Sequence, residues 1–245
     1  EDITEQAGIK TSYFCTGTLM ADLDNDGWMD IYVCRDNPFY EEENRENLVF
    51  MNQGDGSFVE QGAQMGLNNP GYSSMASCFD MDNDGDLDLF LGNHPITFEE
   101  DIRKFSVHEL NDQYSTDRMY ENLGDGTFKD ITMEAGMASH SFALSISTAD
   151  FNQDGLTDLY VCNDYFGPDF CYINKGDGSF EESHQKYFKH TSTNAMGSDA
   201  ADFNNDGLID LTVLDMLPQD NYHRKLLTGP SNFDFYIRQC YRCMT

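Results

Sequence analysis

The sequence predicts an all-β protein built from repeated four-stranded antiparallel units. An acidic loop pattern occurs four times along the chain, and a Gly-Asp-Gly pattern follows three of the four copies. Short runs of β-branched and aromatic residues flank both patterns, as in Ile31–Val33 and Leu159–Val161. Aromatic residues make up 13% of the chain, which is typical of a folded protein with a core.

Each acidic loop has the form Asp-x-[Asp/Asn]-x-Asp-Gly-x-x-Asp, and the copies begin at Asp22, Asp80, Asp150 and Asp202. Side chains at positions 1, 3, 5 and 9 of such a loop can converge on one point, and the position 7 carbonyl adds an oxygen. Calcium prefers about six to eight hard oxygen ligands in a flexible cage, and glycine at position 6 permits the turn. The predicted metal ligands are Asp22, Asp24, Asp26, Trp28, Asp30, Asp80, Asp82, Asp84, Asp86, Asp88, Asp150, Asn152, Asp154, Leu156, Asp158, Asp202, Asn204, Asp206, Leu208 and Asp210.

We expect about four Ca²⁺ ions, one per loop, with a structural role. Magnesium fits less well because it demands a stricter octahedron. An EF-hand is excluded, since position 12 carries a strand residue such as Val33 or Leu91 where an EF-hand has glutamate. The third and fourth loops have Asn152 and Asn204 at position 3, so we expect them to bind more weakly than the first two.

The second motif begins at Asn52, Asn122 and Asn174, and its glycines predict the positive φ angles of a tight hairpin. One repeat therefore reads strand, calcium loop, strand, variable connector, strand, hairpin, strand. This is the pattern of a β-propeller blade. The chain is predicted to be a single propeller fragment over residues 1–245, with blades at 12–60, 72–131, 141–182 and 194–245, the last incomplete.

The variable connectors differ in length between the repeats. The second spans residues 93–117 and contains Phe98–Phe105, which could form a short helix, and the fourth spans residues 218–235. Long connectors on a rigid scaffold are frequent recognition sites, but a mobile surface insertion is an equal alternative.

The formal charge of the chain is −30, from 44 acidic and 14 basic residues. Such a charge repels nucleic acid and anionic membrane, so neither is expected as a partner. No run of about 18 apolar residues is present, and no transmembrane segment is predicted. Many of the acids cluster in the four loops, which favours a divalent cation over acidity spread for solubility.

The seven cysteines do not form a recognisable disulfide framework. Cys34 and Cys162 occupy matching repeat positions where other repeats carry Gly92 and Leu214, which indicates small residues facing a core. The pair Cys240-x-x-Cys243 could be a redox or zinc site, although no second pair of ligands accompanies it.

These motifs resemble the FG-GAP/VCBS repeat family of calcium-loop propellers, which is also found in integrin α heads. The segments Asp2–Gly8, Tyr172–Phe180 and Ala201–Asp210 resemble more specifically the ASPIC/UnbV-associated, cartilage acidic protein 1-like group. The segment Asp215–Asn221 with Arg224 and Lys225 looks like large Bacteroidota surface proteins. The resemblance implies a seven-bladed or similar propeller in a longer protein. It also implies an extracellular or cell-surface location, associated with the outer membrane if the source is bacterial.

Two functions are compatible with the sequence. The first is a non-enzymatic extracellular module that binds a protein or glycan, as a scaffold or as a subunit of a cell-surface assembly. The alternative is a carbohydrate-active enzyme, similar to a polysaccharide lyase, on a calcium-stabilised propeller. Its candidate bases are the connector histidines His94, His108, His184, His190 and His223.

Overall fold

The computed structural model describes residues 2–11, 13–36, 41–95, 114–139, 141–164, 168–192 and 194–216. Within these ranges the chain forms three four-stranded antiparallel sheets and one two-stranded sheet. This confirms the prediction of an all-β protein built from propeller blades. We call the sheets blades 1 to 4 in chain order.

The strand bounds follow the predicted motifs closely. Blade 1 comprises β1 (Cys15–Ala21), β2 (Asp30–Arg35), β3 (Leu48–Asn52) and β4 (Phe58–Glu60). Blade 2 comprises β5 (Ser73–Phe79), β6 (Asp88–Asn93), β7 (Arg118–Asn122) and β8 (Phe128–Asp130). Blade 3 comprises β9 (Ala143–Ala149), β10 (Asp158–Asn163), β11 (Phe170–Asn174) and β12 (Phe180–Glu182), and blade 4 comprises β13 (Ala195–Ala201) and β14 (Asp210–Asp215).

Blades 1 to 3 are meanders, in which strands adjacent in sequence are paired. In blade 1, for example, Tyr32 on the second strand lies opposite Leu19 on the first and Val49 on the third. An antiparallel meander places the loop between strands 1 and 2 at the same end of the blade as the hairpin between strands 3 and 4. The acidic loops and the Gly-Asp-Gly hairpins therefore share one end, and the variable connectors between strands 2 and 3 leave from the opposite end.

The hydrophobic core lies between the blades. Tyr32, Cys34 and Val49 of blade 1 pack against Leu89 and Leu91 of blade 2. A second cluster joins blades 2 and 3, and a third joins blades 3 and 4. Both faces of a central blade are thus buried, which explains why strands such as β6 and β10 are buried along their whole length.

Short helical segments precede or follow the sheets, and the sequence motifs did not predict them. They are α1 (Thr4–Ala7), α2 (Gly62–Met65) and α3 (His184–Tyr187), together with a 3-10 turn at Glu42–Asn44. A glycine with positive φ ends each of the first two helices, at Gly8 and Gly66. A Cβ on Gly8 would lie 2.8 Å from the carbonyl oxygen of Phe58, so this linker packs tightly against the fourth strand of the blade that follows it.

The first strands of neighbouring blades approach one another closely. The hydroxyl of Thr16 on β1 donates to the carbonyl of Ser73 on β5 at 2.6 Å. Ser74 in turn donates to the carbonyl of Ala143 on β9, and the hydroxyls of Ser147 and Ser198 lie 2.7 Å apart. These contacts make β1, β5, β9 and β13 the adjacent strands of successive blades, joined by small polar residues.

Cys34, Cys162 and Cys171 are buried free thiols, and Cys15 and Cys78 are partly buried free thiols. The burial of Cys34 and Cys162 confirms that these positions face a core. In the described ranges no helix has the length and apolar character needed to span a membrane. The predicted helix at Phe98–Phe105, the connector at 218–235, the pair Cys240 and Cys243, and His108 and His223 lie outside the described residues.

The close contact between β1 and β5 predicts that a larger residue at Gly17 destabilises the protein. A Cβ there would lie 2.4 Å from the carbonyl oxygen of Ser74, which is main chain and cannot rotate away. We expect Gly17→Ala to lower the free energy of unfolding by about 2 kcal/mol, as for other overpacked sites. Urea denaturation measures this effect.

Gly197 is the matched control, because it occupies the same repeat position in β13 and a Cβ placed on it would have no other atom within 4 Å. Gly197→Ala should change the free energy of unfolding by less than about 1 kcal/mol. Equal effects of the two substitutions would show that β1 and β5 do not approach one another this tightly.

Candidate metal centre

The four acidic loops share one backbone conformation. Position 6 is a glycine with positive φ, for example 91° at Gly27 and 96° at Gly85, as the sequence predicted. Position 4 also has positive φ, between 58° at Asn25 and 63° at Gln153, although it is never glycine. Asparagine tolerates this left-handed region better than most residues, which explains its presence at three of the four copies.

The position 1 aspartate closes each loop through main-chain N–H groups. In the first loop Asp22 accepts from the N–H of Asp26 at 3.1 Å and from the N–H of Gly27 at 2.9 Å. The same pair of hydrogen bonds is present in the other three loops. The carboxylate is thereby held inside the turn, with its charge facing the other acids of the loop.

The position 9 aspartate joins the loop to the third strand. One carboxylate oxygen of Asp30 accepts the N–H of Leu23 at 3.0 Å, and the other accepts the N–H of Asn52 at 2.8 Å. Asp88 and Asp158 make the equivalent two bonds in blades 2 and 3. In blade 4 the described part of this arrangement is the bond from Phe203 N–H to Asp210.

Two of the loops bring three carboxylates together. Asp22, Asp24 and Asp30 each place a carboxylate oxygen within 4.8 Å of the others, and Asp80, Asp82 and Asp88 do the same. These are positions 1, 3 and 9 of the predicted ligand set. The first two loops, richer in charge than the others, thus have a geometry that could hold a metal ion.

Position 5 is not part of these two carboxylate groups. Asp26 accepts the N–H of Trp28 with one carboxylate oxygen at 2.8 Å, and Asp84, Asp154 and Asp206 make the equivalent bond. Its role as a ligand stays a prediction, as does that of the position 7 carbonyls of Trp28, Asp86, Leu156 and Leu208. The side chain at position 7 instead packs against the hairpin: Trp28 lies over Gly54, where a Cβ would be 3.0 Å from the indole nitrogen.

The third and fourth loops keep the position 1 and position 5 hydrogen bonds and have one charge fewer at position 3. Asn152 accepts the N–H of Asp154 at 2.9 Å through its side-chain oxygen and donates to the carboxylate of Asp154 at 2.8 Å. Its oxygen remains available in the loop. The weaker cation affinity expected for these loops stays a prediction.

Burial and crowding raise the pKa of several loop carboxyls. Burial raises the pKa of Asp88 to about 7 and that of Asp158 to about 6, with neighbouring loop aspartates adding to the effect. Burial, then the charge of the adjacent position 5 aspartate, raises the pKa of Asp24 and of Asp82. Without a counter-ion, the folded loops therefore disfavour their own ionised state.

A divalent cation fits this donor set. The oxygens are hard carboxylate ligands, and in the described chain none of the ion pairs between side chains involves a loop aspartate. Within the described ranges, these ion pairs thus place no arginine or lysine where a metal ion would balance the loop charge. A cation would supply the missing positive charge, and residues at positions 1, 3 and 9 would hold it.

Neighbouring blades are joined at this end through the hairpin asparagines. The side-chain amide of Asn122 in blade 2 donates to the carbonyl of Leu23 in the first loop at 3.1 Å. The amide of Asn174 in blade 3 donates to the carbonyl of Met81 in the second loop at 2.6 Å. At the loop surface, the amide of Asn25 also donates to the carbonyl of Gly85 in the second loop at 3.2 Å.

The opposite end of the blades carries a buried polar network. Asp117 accepts the N–H of Asn93 at 2.8 Å, and burial raises the pKa of Asp117 to about 7. Asn47 and Asp169 accept the equivalent N–H groups in blades 1 and 3. These residues fasten strand 2 to the start of strand 3, where the variable connectors leave.

His94 follows the second strand of blade 2, whereas His184 and His190 lie in the segment between blades 3 and 4. His94 lies 2.9 Å from the carboxylate of Asp36 in blade 1 and stacks on Phe142. His184 lies 2.8 Å from Glu182 in its own blade, and His190 is exposed. His94 and His184 thus each have a carboxylate partner.

Sequence reasoning found the hairpin asparagines but gave the motif only a turn-forming role. Their main-chain bonds to position 9 and their amide bonds to the previous blade were missed. The fixed asparagine two residues before each first hairpin glycine was the available signal, because a tight Gly-Asp-Gly turn alone does not require it.

Comparison with known proteins gives a family match over most of the chain. The family described as FG-GAP-like repeat matches residues 22–91, 105–161 and 150–213. Integrin alpha-3 from Mus musculus is 38% identical over 89 residues, which are 33% of this chain and 8% of the mouse protein. Integrin alpha-3 from Cricetulus griseus aligns with the same identity and the same coverage. The chain thus spans less than a tenth of the length of these relatives.

Among solved structures, this chain is similar to one described as the structural basis of specific recognition of non-reducing terminal N-acetylglucosamine by an Agrocybe aegerita lectin. It covers 67% of this chain and 36% of its own chain, at 20% identity and a TM-score of 0.35.

The raised carboxyl pKa values make the metal-free protein sensitive to pH. The folded protein holds the protons of Asp88 and Asp158 to about pH 7 and 6, while the unfolded chain loses them near pH 4. The folded state therefore binds more protons in this window. We expect the free energy of unfolding in excess EDTA to fall as the pH rises from about 4 to 7.

Denaturant titrations between pH 5 and pH 7 measure this slope. Asp88→Asn removes the titrating group and should give a shallower slope than the unchanged protein. Asp55→Asn is the control, because Asp55 is an exposed acid in the hairpin whose pKa is lowered by its hydrogen bond to Ser57. A slope unaffected by Asp88→Asn would contradict a raised pKa of Asp88 in the folded protein.

Proposed function

Because this chain belongs to the FG-GAP-like repeat family, we propose that it is a calcium-stabilised, non-enzymatic propeller module that binds a protein or glycan. The observation that carries the proposal is the convergence of Asp22, Asp24 and Asp30, repeated by Asp80, Asp82 and Asp88. Carboxylates crowded without a basic partner suit a divalent cation, which supports the proposal. The similarity to integrin alpha-3 supports a binding role.

Calcium is the cation we propose, with one ion in each of the four loops. The carboxylate-rich loop suits an ion that takes about six to eight oxygens better than magnesium, which holds a strict octahedron and its own waters. Ligands at positions 1, 3, 5 and 9 would be joined by the position 7 carbonyl. The ion would neutralise the loop and hold strands 1, 2 and 3 of each blade together.

The proposed binding surface is the end of the blades opposite the calcium loops. The connectors between strands 2 and 3 leave there, and they differ most between repeats. Their two ends are joined by a buried network that includes Asn47, Asp117 and Asp169, which gives them a fixed base. Variable segments on a rigid scaffold are well suited to recognition.

The location and wider context belong to the same proposal. An extracellular or cell-surface site, where calcium is plentiful, suits a scaffold that depends on this ion, and integrin alpha-3 similarity supports it. The motif resemblance further suggests an ASPIC/UnbV-associated surface protein of a bacterium, in a seven-bladed or similar propeller. Nucleic acid remains an unsuitable partner for a chain of charge −30.

Calcium removal tests the cation part of this proposal. We expect excess EGTA to lower the melting temperature by at least about 10 °C, because several sites that bind only the folded state each add to its stability. Added Ca²⁺ should restore the melting temperature and added Mg²⁺ should not. Differential scanning calorimetry measures it, and an unchanged melting temperature would rule out structural calcium.

A pair of variants assigns the effect to the loops. Asp82→Asn removes a cluster carboxylate and should reduce the gain in melting temperature on adding Ca²⁺. Asp125→Asn removes the same charge from the neighbouring hairpin, where Asp125 accepts from Thr127, and should leave the gain unchanged.

The absence of catalysis is tested separately. We expect no new reducing ends and no unsaturated uronic acid when the protein is incubated with acidic polysaccharides and Ca²⁺. The histidine to test is His94, because it lies at the start of the connector of blade 2 and is paired with Asp36. Product formation that is lost in His94→Ala would overturn the non-enzymatic proposal in favour of a lyase.

A further inference from the structure

Buried hydrogen bonds connect the position 9 aspartates of neighbouring loops. Asp30 of the first loop accepts the N–H of Leu23, and the carbonyl of Leu23 accepts the side-chain amide of Asn122. The main-chain N–H of Asn122 then donates to Asp88 of the second loop at 2.9 Å. Two residues, one from each blade, thus bridge the two aspartates without a gap.

The same relay continues into the third blade. Asp88 accepts the N–H of Met81 at 2.8 Å, and the carbonyl of Met81 accepts the amide of Asn174. The main-chain N–H of Asn174 donates to Asp158 at 2.8 Å. Every member of the two steps is buried, with exposures of 7% or less: Leu23, Asp30, Met81, Asp88, Asn122, Asp158 and Asn174.

Such a relay can transmit the position of one carboxylate to the next. Each bond lies away from solvent, where hydrogen bonds are strong and polarise one another along a chain. A cation bound by Asp30 fixes that carboxylate and, through it, the peptide at Leu23. The carbonyl of that peptide orients Asn122, whose N–H positions Asp88 for the next cation.

Asn52 is the equivalent asparagine of blade 1, and comparing it with Asn122 separates the hydrogen bonds within a blade from the bond between blades. Its amide donates to Met29 of its own loop at 3.0 Å, and its side-chain oxygen accepts the N–H of Gly54. Asn122 makes the same two bonds, to Leu87 and Gly124. Only the bond to the previous loop distinguishes Asn122 from Asn52 among the described contacts.

We infer that Asn122 and Asn174 couple cation binding between neighbouring loops, so that an ion in one loop raises the affinity of the next. The inference rests on the proposed cation function of the loops. In this arrangement the asparagines are positioning residues, because they contact the position 9 aspartate and the neighbouring loop peptide and not the ion itself. The propeller would then load its cations cooperatively around the ring of blades.

The only tryptophan of the sequence, Trp28, supplies a probe for the first loop. It occupies position 7, so terbium luminescence excited through Trp28 reports mainly on ion binding in that loop. The measurement uses the full chain with Tb³⁺ alone as the ion. All proteins carry Asn25→Gly, which removes the exposed amide bridges to the carbonyl of Gly85 and the carboxylate of Asp86 in loop 2 and suits the positive φ of 58° at this position.

The test compares loop 1 affinity with loop 2 intact or disabled by Asp80→Asn and Asp82→Asn together. With Asn122 present, we expect disabling loop 2 to weaken loop 1 roughly five-fold, about the effect of one hydrogen bond. In Asn122→Ala the same change should have an effect below about two-fold. The altered local charge is the same in both comparisons and cancels.

Asn52→Ala is the matched control and should keep the five-fold coupling. Circular dichroism confirms folding of each variant, and Asn122→Ser with Asn52→Ser replaces the alanine pair if Asn122→Ala does not fold. Absence of any Tb³⁺ signal from the unchanged loops would overturn the cation function and this inference with it. A normal titration whose coupling is absent, or equal in Asn122→Ala, would overturn the relay and leave the cation function standing.

Discussion

The structure depends on the two hydrogen bonds that each position 9 aspartate accepts from the main chain. Asp30, Asp88 and Asp158 each accept one N–H from their own loop and one from the third strand of their own blade. The bonds fasten a strongly acidic loop to the sheet, and burial of the carboxylate follows from them. The raised pKa of Asp88 shows the energetic cost of that burial when no cation is bound.

The same interaction explains why the blades act together. The asparagine whose N–H reaches position 9 sends its side chain to the preceding loop, as Asn122 and Asn174 do. The hydrophobic clusters also lie between blades, so neither the polar nor the apolar contacts stop at a blade boundary. A cation in one loop would therefore stabilise more than its own blade, which suits a rigid scaffold that presents variable connectors at its other end.

Much of the fold could be predicted because its signals are local. Gly27, Gly54 and Gly56 have the positive φ that their motifs required, and the strands begin and end next to them. The contacts between blades could not be predicted in this way, since Asn122 and Leu23 are 99 residues apart in the chain. The left-handed position 4 was missed for another reason: asparagine and glutamine at Asn25 and Gln153 are also ordinary surface residues.

The central claim, that the acidic loops hold calcium at positions 1, 3 and 9, is tested most directly by a crystal structure grown with CaCl₂. Anomalous difference density should show an ion in the first loop, within about 2.3–2.6 Å of oxygens of Asp22, Asp24 and Asp30, and an equivalent ion in the second. Well-ordered loops without anomalous density at those oxygens, at millimolar Ca²⁺, would contradict the account.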